Sequence, residues 1–141
     1  MKRLKKLVDI IIIMLYNIYD DKNKRKGTDM RPTRWYSNRQ EKKVAKAVSG
    51  RKTANSGATA FQKGDVVTKD WLIECKTKTK DCSSFTIKED WLLKNEEEAF
   101  AMGKNNSALC FDFGPSANRR YYIISERLFQ TLQNYMKEEN S

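Results

Sequence analysis

Apolar and polar positions along the chain change period several times, and each change marks an element. Ser37-Asn38-Arg39-Gln40 has the spacing of a capping box, and Glu41, Val44, Ala45 and Val48 follow at i, i+3, i+4 and i+7 before Gly50. This predicts a helix opening at Ser37 and closing at Gly50, with Glu41 on its apolar stripe. Residues 51–64 are small, polar and basic, and predict a loop with a short strand around Ala58–Phe61. Residues 65–68 and 71–76 read as two strands of a hairpin centred on Lys69-Asp70. Thr86-Ile87-Lys88-Glu89 is a second capping box, opening a helix to about Met102 with Gly103 just beyond it. Strands are expected at Ala108–Phe113, stopped by Gly114-Pro115, and at Arg120–Ile124. A last helix, about Ser125 to Glu138, carries Leu128, Leu132, Tyr135 and Met136 on one stripe. The predicted order is α-β-β-β-α-β-β-α, an α/β (α+β) domain with a mixed central sheet flanked by helices.

That domain spans residues 37–141. Ahead of it, residues 1–36 combine an apolar run (LVDIIIIMLYNIY) with a basic linker over Lys22–Arg34. The run imitates a signal peptide, but Asp9 interrupts it, no small-residue cleavage site follows, and it is too short to span a bilayer. The expectation is a helix that docks on the domain or forms a dimer arm. A membrane-surface helix and a true start at Met30 are the alternatives.

Composition narrows the chemistry. The 141 residues carry a net charge of +10, which favours polyanionic partners. The charge is uneven: residues 37–80 hold eleven basic and four acidic residues, whereas 81–141 hold seven and ten. With no histidine, Ser-His-Asp and Cys-His catalysis are excluded, so carboxylates, lysines, hydroxyls or thiols must act. Three cysteines, Cys75, Cys82 and Cys110, without CxxC spacing, argue against a disulfide framework or structural zinc. They fit a reducing, cytoplasmic setting.

The predicted hairpin register sets Asp65 directly across from Glu74. Strand alternation puts Lys76 on their face and turns Trp71, Ile73 and Cys75 to the other, against a helix. Opposed carboxylates need a proton, a lysine or a metal between them. One reading is a solvated strand face with an ordinary ion pair. The other is a centre for a hard divalent cation such as Mg²⁺, with Lys76 orienting water and stabilising phosphate charge. Glu41 adds a third acid. Gly57 and Gly64 let a backbone approach a phosphate, and Arg39, Lys42, Lys43, Lys46, Arg51, Lys52, Lys63, Lys78 and Lys80 surround the acids.

The series Glu41, Ser56-Gly57-Ala58, Lys63-Gly64-Asp65-Val66 and Ile73-Glu74-Cys75-Lys76 resembles the PD-(D/E)XK nuclease superfamily, nearest to archaeal and bacteriophage Holliday junction resolvases. The likeness covers roughly residues 37–125. It implies a restriction-endonuclease-like fold and a homodimeric, Mg²⁺-dependent DNA endonuclease of recombination and repair, in which Mn²⁺ could substitute for Mg²⁺. By that resemblance Asp65, Glu74 and the Cys75 carbonyl bind the metal, Glu41 joins directly or through water, Lys76 positions water, and Ser56 contacts the scissile strand or shapes its loop. Gly64 stands where the family carries proline. Residues 1–29 have no counterpart.

Other readings stay beside it: a broader nuclease for branched, nicked or linear DNA, a non-enzymatic basic DNA-binding module, and a membrane-associated protein using residues 4–19. Trp35-Tyr36 would stack on bases or staple the first helix. Lys88 and Lys94 would meet phosphate or solvent, and Arg119-Arg120 would form a DNA-contacting edge or a polar turn. Of Tyr121 and Tyr122, one is expected in the core.

Overall fold

The computed structural model describes residues 31–53 and 64–141. The strand predicted at Ala58–Phe61, the N-terminal helix, Ser56, Gly57 and Lys63 lie outside them. The elements run α1 (Thr33–Ala47), β1 (Arg51–Lys52), β2 (Val66–Val67), β3 (Trp71–Lys76), α2 (Glu89–Ala101), β4 (Asn106–Phe111), β5 (Tyr121–Ile123) and α3 (Glu126–Glu139). The order matches the one predicted, but the first strand is Arg51–Lys52, which the sequence placed in a loop. It forms because Val66–Val67 offers it an open edge, pairing Arg51 with Val67 and Lys52 with Val66.

The sheet order is β1-β2-β3-β4-β5. Its first two pairings are antiparallel, β3 and β4 are parallel across the α2 crossover, and β5 returns antiparallel on β4. Hence the fold is mixed α+β with a five-stranded mixed sheet.

Both sheet faces are covered around β3, whose alternation divides its side chains. Ile73 and Cys75 join Val66, Ala108, Cys110 and Val44 of α1 in one core cluster, with Trp71 at its margin. Leu72 packs with Val67 and Ala99 beneath α2. Burying a Leu or Ile side chain here stabilises by about 1.5–3 kcal/mol. Asn95 fastens α2 to the sheet, donating to the Ala108 carbonyl at 3.0 Å and the Leu72 carbonyl at 3.4 Å.

Several boundaries differ from the sequence reading. Helix α1 starts one turn early, after extended Pro32 (φ −65°), so Ser37 is no cap; its hydroxyl donates to the Thr33 and Arg34 carbonyls inside the helix. The earlier start puts Tyr36 on the buried stripe with Gln40, Glu41 and Val44. Helix α2 begins at Glu89 without a side-chain cap. It ends as predicted, with Gly103 at φ 67° and Lys104 N–H donating to the Ala99 carbonyl. Ser125 does cap α3, accepting from Leu128 N–H at 3.3 Å. Neither Tyr121 nor Tyr122 is core: they are 43% and 42% exposed on an edge strand. Phe129, Leu132, Tyr135 and Met136 of α3 are also exposed. Among the described residues no helix is long and apolar enough to cross a membrane.

Candidate functional site

The hairpin register is the predicted one over Val66↔Ile73 and Val67↔Leu72. At Asp65 the ladder breaks. Asp65 N–H donates to the carbonyl of Ile73, the residue that Val66 already faces. A further regular step would give Cys75 N–H to the Gly64 carbonyl. That carbonyl instead accepts from the Thr53 hydroxyl at 2.5 Å, and Asp65 Oδ2 takes Cys75 N–H at 2.7 Å. A carboxylate therefore replaces a backbone acceptor at the end of the ladder. Asp65 is not the plain facing partner of Glu74 that alternation suggested. Gly64 permits the break at φ 76°, where a Cβ would also run into the Leu72 side chain. Its small size is a packing requirement of the hairpin, beyond any approach of phosphate.

Asp65 is only 9% exposed. Its carboxyl is pushed up from 3.8 to about 6, first by burial and then by the charges of Glu74 and Glu41, against the lowering effect of Cys75 N–H and Lys76. The other two acids have cations. Glu74 Oε1 meets Lys76 Nζ at 2.8 Å, and Glu41 Oε2 meets Lys52 Nζ at 3.0 Å. No cation among the described residues lies within ion-pair reach of Asp65. The thiol of Cys75 is buried in the core and driven far up by desolvation, so it has no nucleophilic role.

Glu41, predicted on the apolar stripe of the first helix, is indeed buried there. Its charge is felt at Asp65 and Cys75. The three acids do not close into a ready cage: among the described residues no group of three acidic or thiol side chains is set to hold a metal. The donor set nevertheless suits a hard divalent cation, because Asp65 offers carboxylate oxygens that meet no cation within ion-pair reach among the described residues.

Of the predicted DNA contacts, Lys42, Lys46, Arg51, Lys78 and Lys80 are exposed. Lys52 is committed to Glu41 and to the Asn38 side-chain oxygen. Arg39 donates to the Pro115 carbonyl at 3.3 Å and lies over the Trp35 ring. Lys78 sits 5.2 Å from the Phe85 ring centre. Lys94 is exposed and pairs only loosely with Glu98, at 3.8 Å.

Sequence reasoning missed a buried polar node behind Lys76. Gln40 Nε2 donates to the Lys76 carbonyl at 2.7 Å and to Asp112 Oδ2 at 3.0 Å, while Thr77 donates to Asp112 Oδ1 at 2.7 Å. One signal was available: Gln40 precedes Glu41 on the same buried stripe. It also missed Trp91, whose ring centre lies 4.7 Å from Lys76 Nζ.

No family model, curated protein or solved structure matches the chain.

Proposed function

We propose that this protein is a Mg²⁺-dependent DNA endonuclease with a restriction-endonuclease-like fold, hydrolysing phosphodiester bonds in branched DNA such as four-way junctions. The observation that carries the reading is Asp65: a buried carboxylate with no cation within ion-pair reach among the described residues, held by the Cys75 backbone beside Glu74, with Lys76 2.8 Å from Glu74. Such an arrangement costs stability unless a cation completes it. The excess of basic residues over residues 37–80, with Lys42, Lys46, Arg51, Lys78 and Lys80 exposed, supplies the attraction for a phosphate backbone.

Asp65 and Glu74 would hold Mg²⁺ with the Cys75 carbonyl, and Glu41 would join directly or through water. When bound, the ion supplies charge neutralisation at the phosphate and a more acidic water. Lys76 keeps its ammonium directed at the attacking water and at charge developing on the phosphoryl oxygens. The water oxygen gives up a proton to solvent as it bonds to phosphorus, one ester P–O bond breaks, and the leaving oxygen takes a proton from solvent. Symmetric cutting of two strands requires two sites, hence a homodimer, for which the exposed apolar stripe of α3 is a suitable self-complementary surface. The reduced cysteines suit a cytoplasmic location.

The test is a panel of junction, fork, nicked, duplex and single-stranded DNA, with Mg²⁺ and with EDTA. Cleavage is expected with Mg²⁺ only, fastest on the junction, and lost in Lys76→Ala and Asp65→Asn. Full cleavage by either variant would refute the mechanism. Equal rates on all substrates would leave a general nuclease, and tight binding without cleavage a DNA-binding module.

A further inference from the structure

Lys76 has an unbranched, flexible side chain, and holding it in one rotamer carries an entropic cost. Its partner Glu74 holds Nζ at 2.8 Å. In the nuclease reading, however, Glu74 must also turn to the metal, and its hold on the ammonium then weakens. A second seat is present. The indole of Trp91 lies with its centre 4.7 Å from Lys76 Nζ, within cation–π range, and tryptophan is the strongest ring for that contact.

We propose that Trp91 is a positioning residue for Lys76, holding its ammonium at the reaction centre when Glu74 engages another cation. The proposal rests on the nuclease reading above. A ring face suits this task because it attracts an ammonium without offering oxygen ligands that would compete for a hard metal ion. The placement of the ring follows from the fold. Trp91 lies in the first turn of α2, where its N–H donates to the Lys88 carbonyl at 3.1 Å. One turn further on, buried Asn95 pins the helix to the Leu72 and Ala108 carbonyls. The ring and the lysine are thus referenced to the same strand, β3. Lys88 also approaches the ring, at 5.7 Å, but it is exposed and the more distant of the two. Lys76 is half-buried and already anchored by Glu74.

Two measurements test the proposal. In single-turnover cleavage at saturating DNA and Mg²⁺, Trp91→Leu is expected to lower the rate at least about tenfold, with DNA affinity within about twofold of wild type. Trp91→Phe, which keeps a ring face, is expected to recover most of that rate. Equal rates for Leu and Phe, or a loss confined to affinity, would overturn the role. The second measurement needs no activity: a double-mutant cycle on urea unfolding with Trp91→Leu, Lys76→Met and the pair. A ring holding the ammonium makes the changes non-additive by about twofold to tenfold in the folding constant. Additive changes would overturn the contact. If wild type cleaves nothing in the panel, the nuclease reading fails and the catalytic role with it, while the cycle still decides whether the ring holds Lys76. If wild type cleaves but Leu and Phe behave alike, the positioning role alone fails.

Discussion

Replacing Asp65 by asparagine should stabilise the metal-free protein near neutral pH while abolishing cleavage. In the fold Asp65 keeps its proton up to about pH 6, whereas in the unfolded chain it loses it near 3.8. Between these values the folded state binds more protons, so stability falls as pH rises through the window and stays at the lower level above it. At about 1.4 kcal/mol per tenfold, ionisation of Asp65 costs the fold roughly 3 kcal/mol at pH 8. Asparagine carries no charge and, like the protonated carboxyl, offers a neutral oxygen to Cys75 N–H, whose preference for the carboxylate is already contained in the value of about 6. The gain at pH 8 is therefore about 3 kcal/mol, or roughly 8–15 °C in melting temperature for a domain of this size. Thermal melts in EDTA at pH 4, 6 and 8 should show the Asp65→Asn advantage growing with pH and vanishing near pH 4. Added Mg²⁺ should then raise the wild-type melting point and leave the variant unmoved, because a ligand that binds only the folded state stabilises by mass action. A variant less stable than wild type at pH 8, or a difference independent of pH, would refute the reading of Asp65 as a buried charge that its surroundings compensate only in part.

Further outcomes follow from the same geometry. Lys52→Met leaves Glu41 buried without its cation and should cost about 1–3 kcal/mol in urea unfolding at pH 8. Gly64→Ala should cost more than about 2 kcal/mol, from its φ of 76° and the collision with Leu72 together; Gly103→Ala, also left-handed but with open space around it, should cost about 1 kcal/mol. A thiol reagent should modify Cys82 first in the native protein, since Cys75 and Cys110 are buried and desolvation pushes both thiols up, Cys110 to about 11; all three should react in urea. Leu132→Glu with Met136→Glu should convert a dimer to monomer in light scattering while leaving the melting point of the monomer unchanged, since both side chains are exposed on α3.

What could be read from the chain was what depends on local spacing. Period-two alternation and a turn centred on Lys69-Asp70 gave the hairpin register and the division of β3 into core and site residues. The stripe through Glu41 and Val44 gave a buried acid on the first helix. What could not be read depends on which distant group arrives. Ser37 has the spacing of a cap, yet Pro32 fixes an earlier start and the burial of Tyr36 rewards it. Tyr121 and Tyr122 alternate like a half-buried strand, but β5 is the sheet edge and both stay exposed there. At the site the difference is sharper. The identities of Asp65, Glu74 and Lys76 were visible. The break that turns Asp65 onto Cys75 N–H required knowing that Thr53 captures the Gly64 carbonyl, eleven positions away. Gln40 and Trp91 reach Lys76 from separate elements, one on its carbonyl and one on its ammonium. These supports stiffen a lysine near a carboxyl that burial pushes up to about 6. The fold thus holds Asp65 at a cost to its own stability, and that cost is the ground on which the proposed cation site stands.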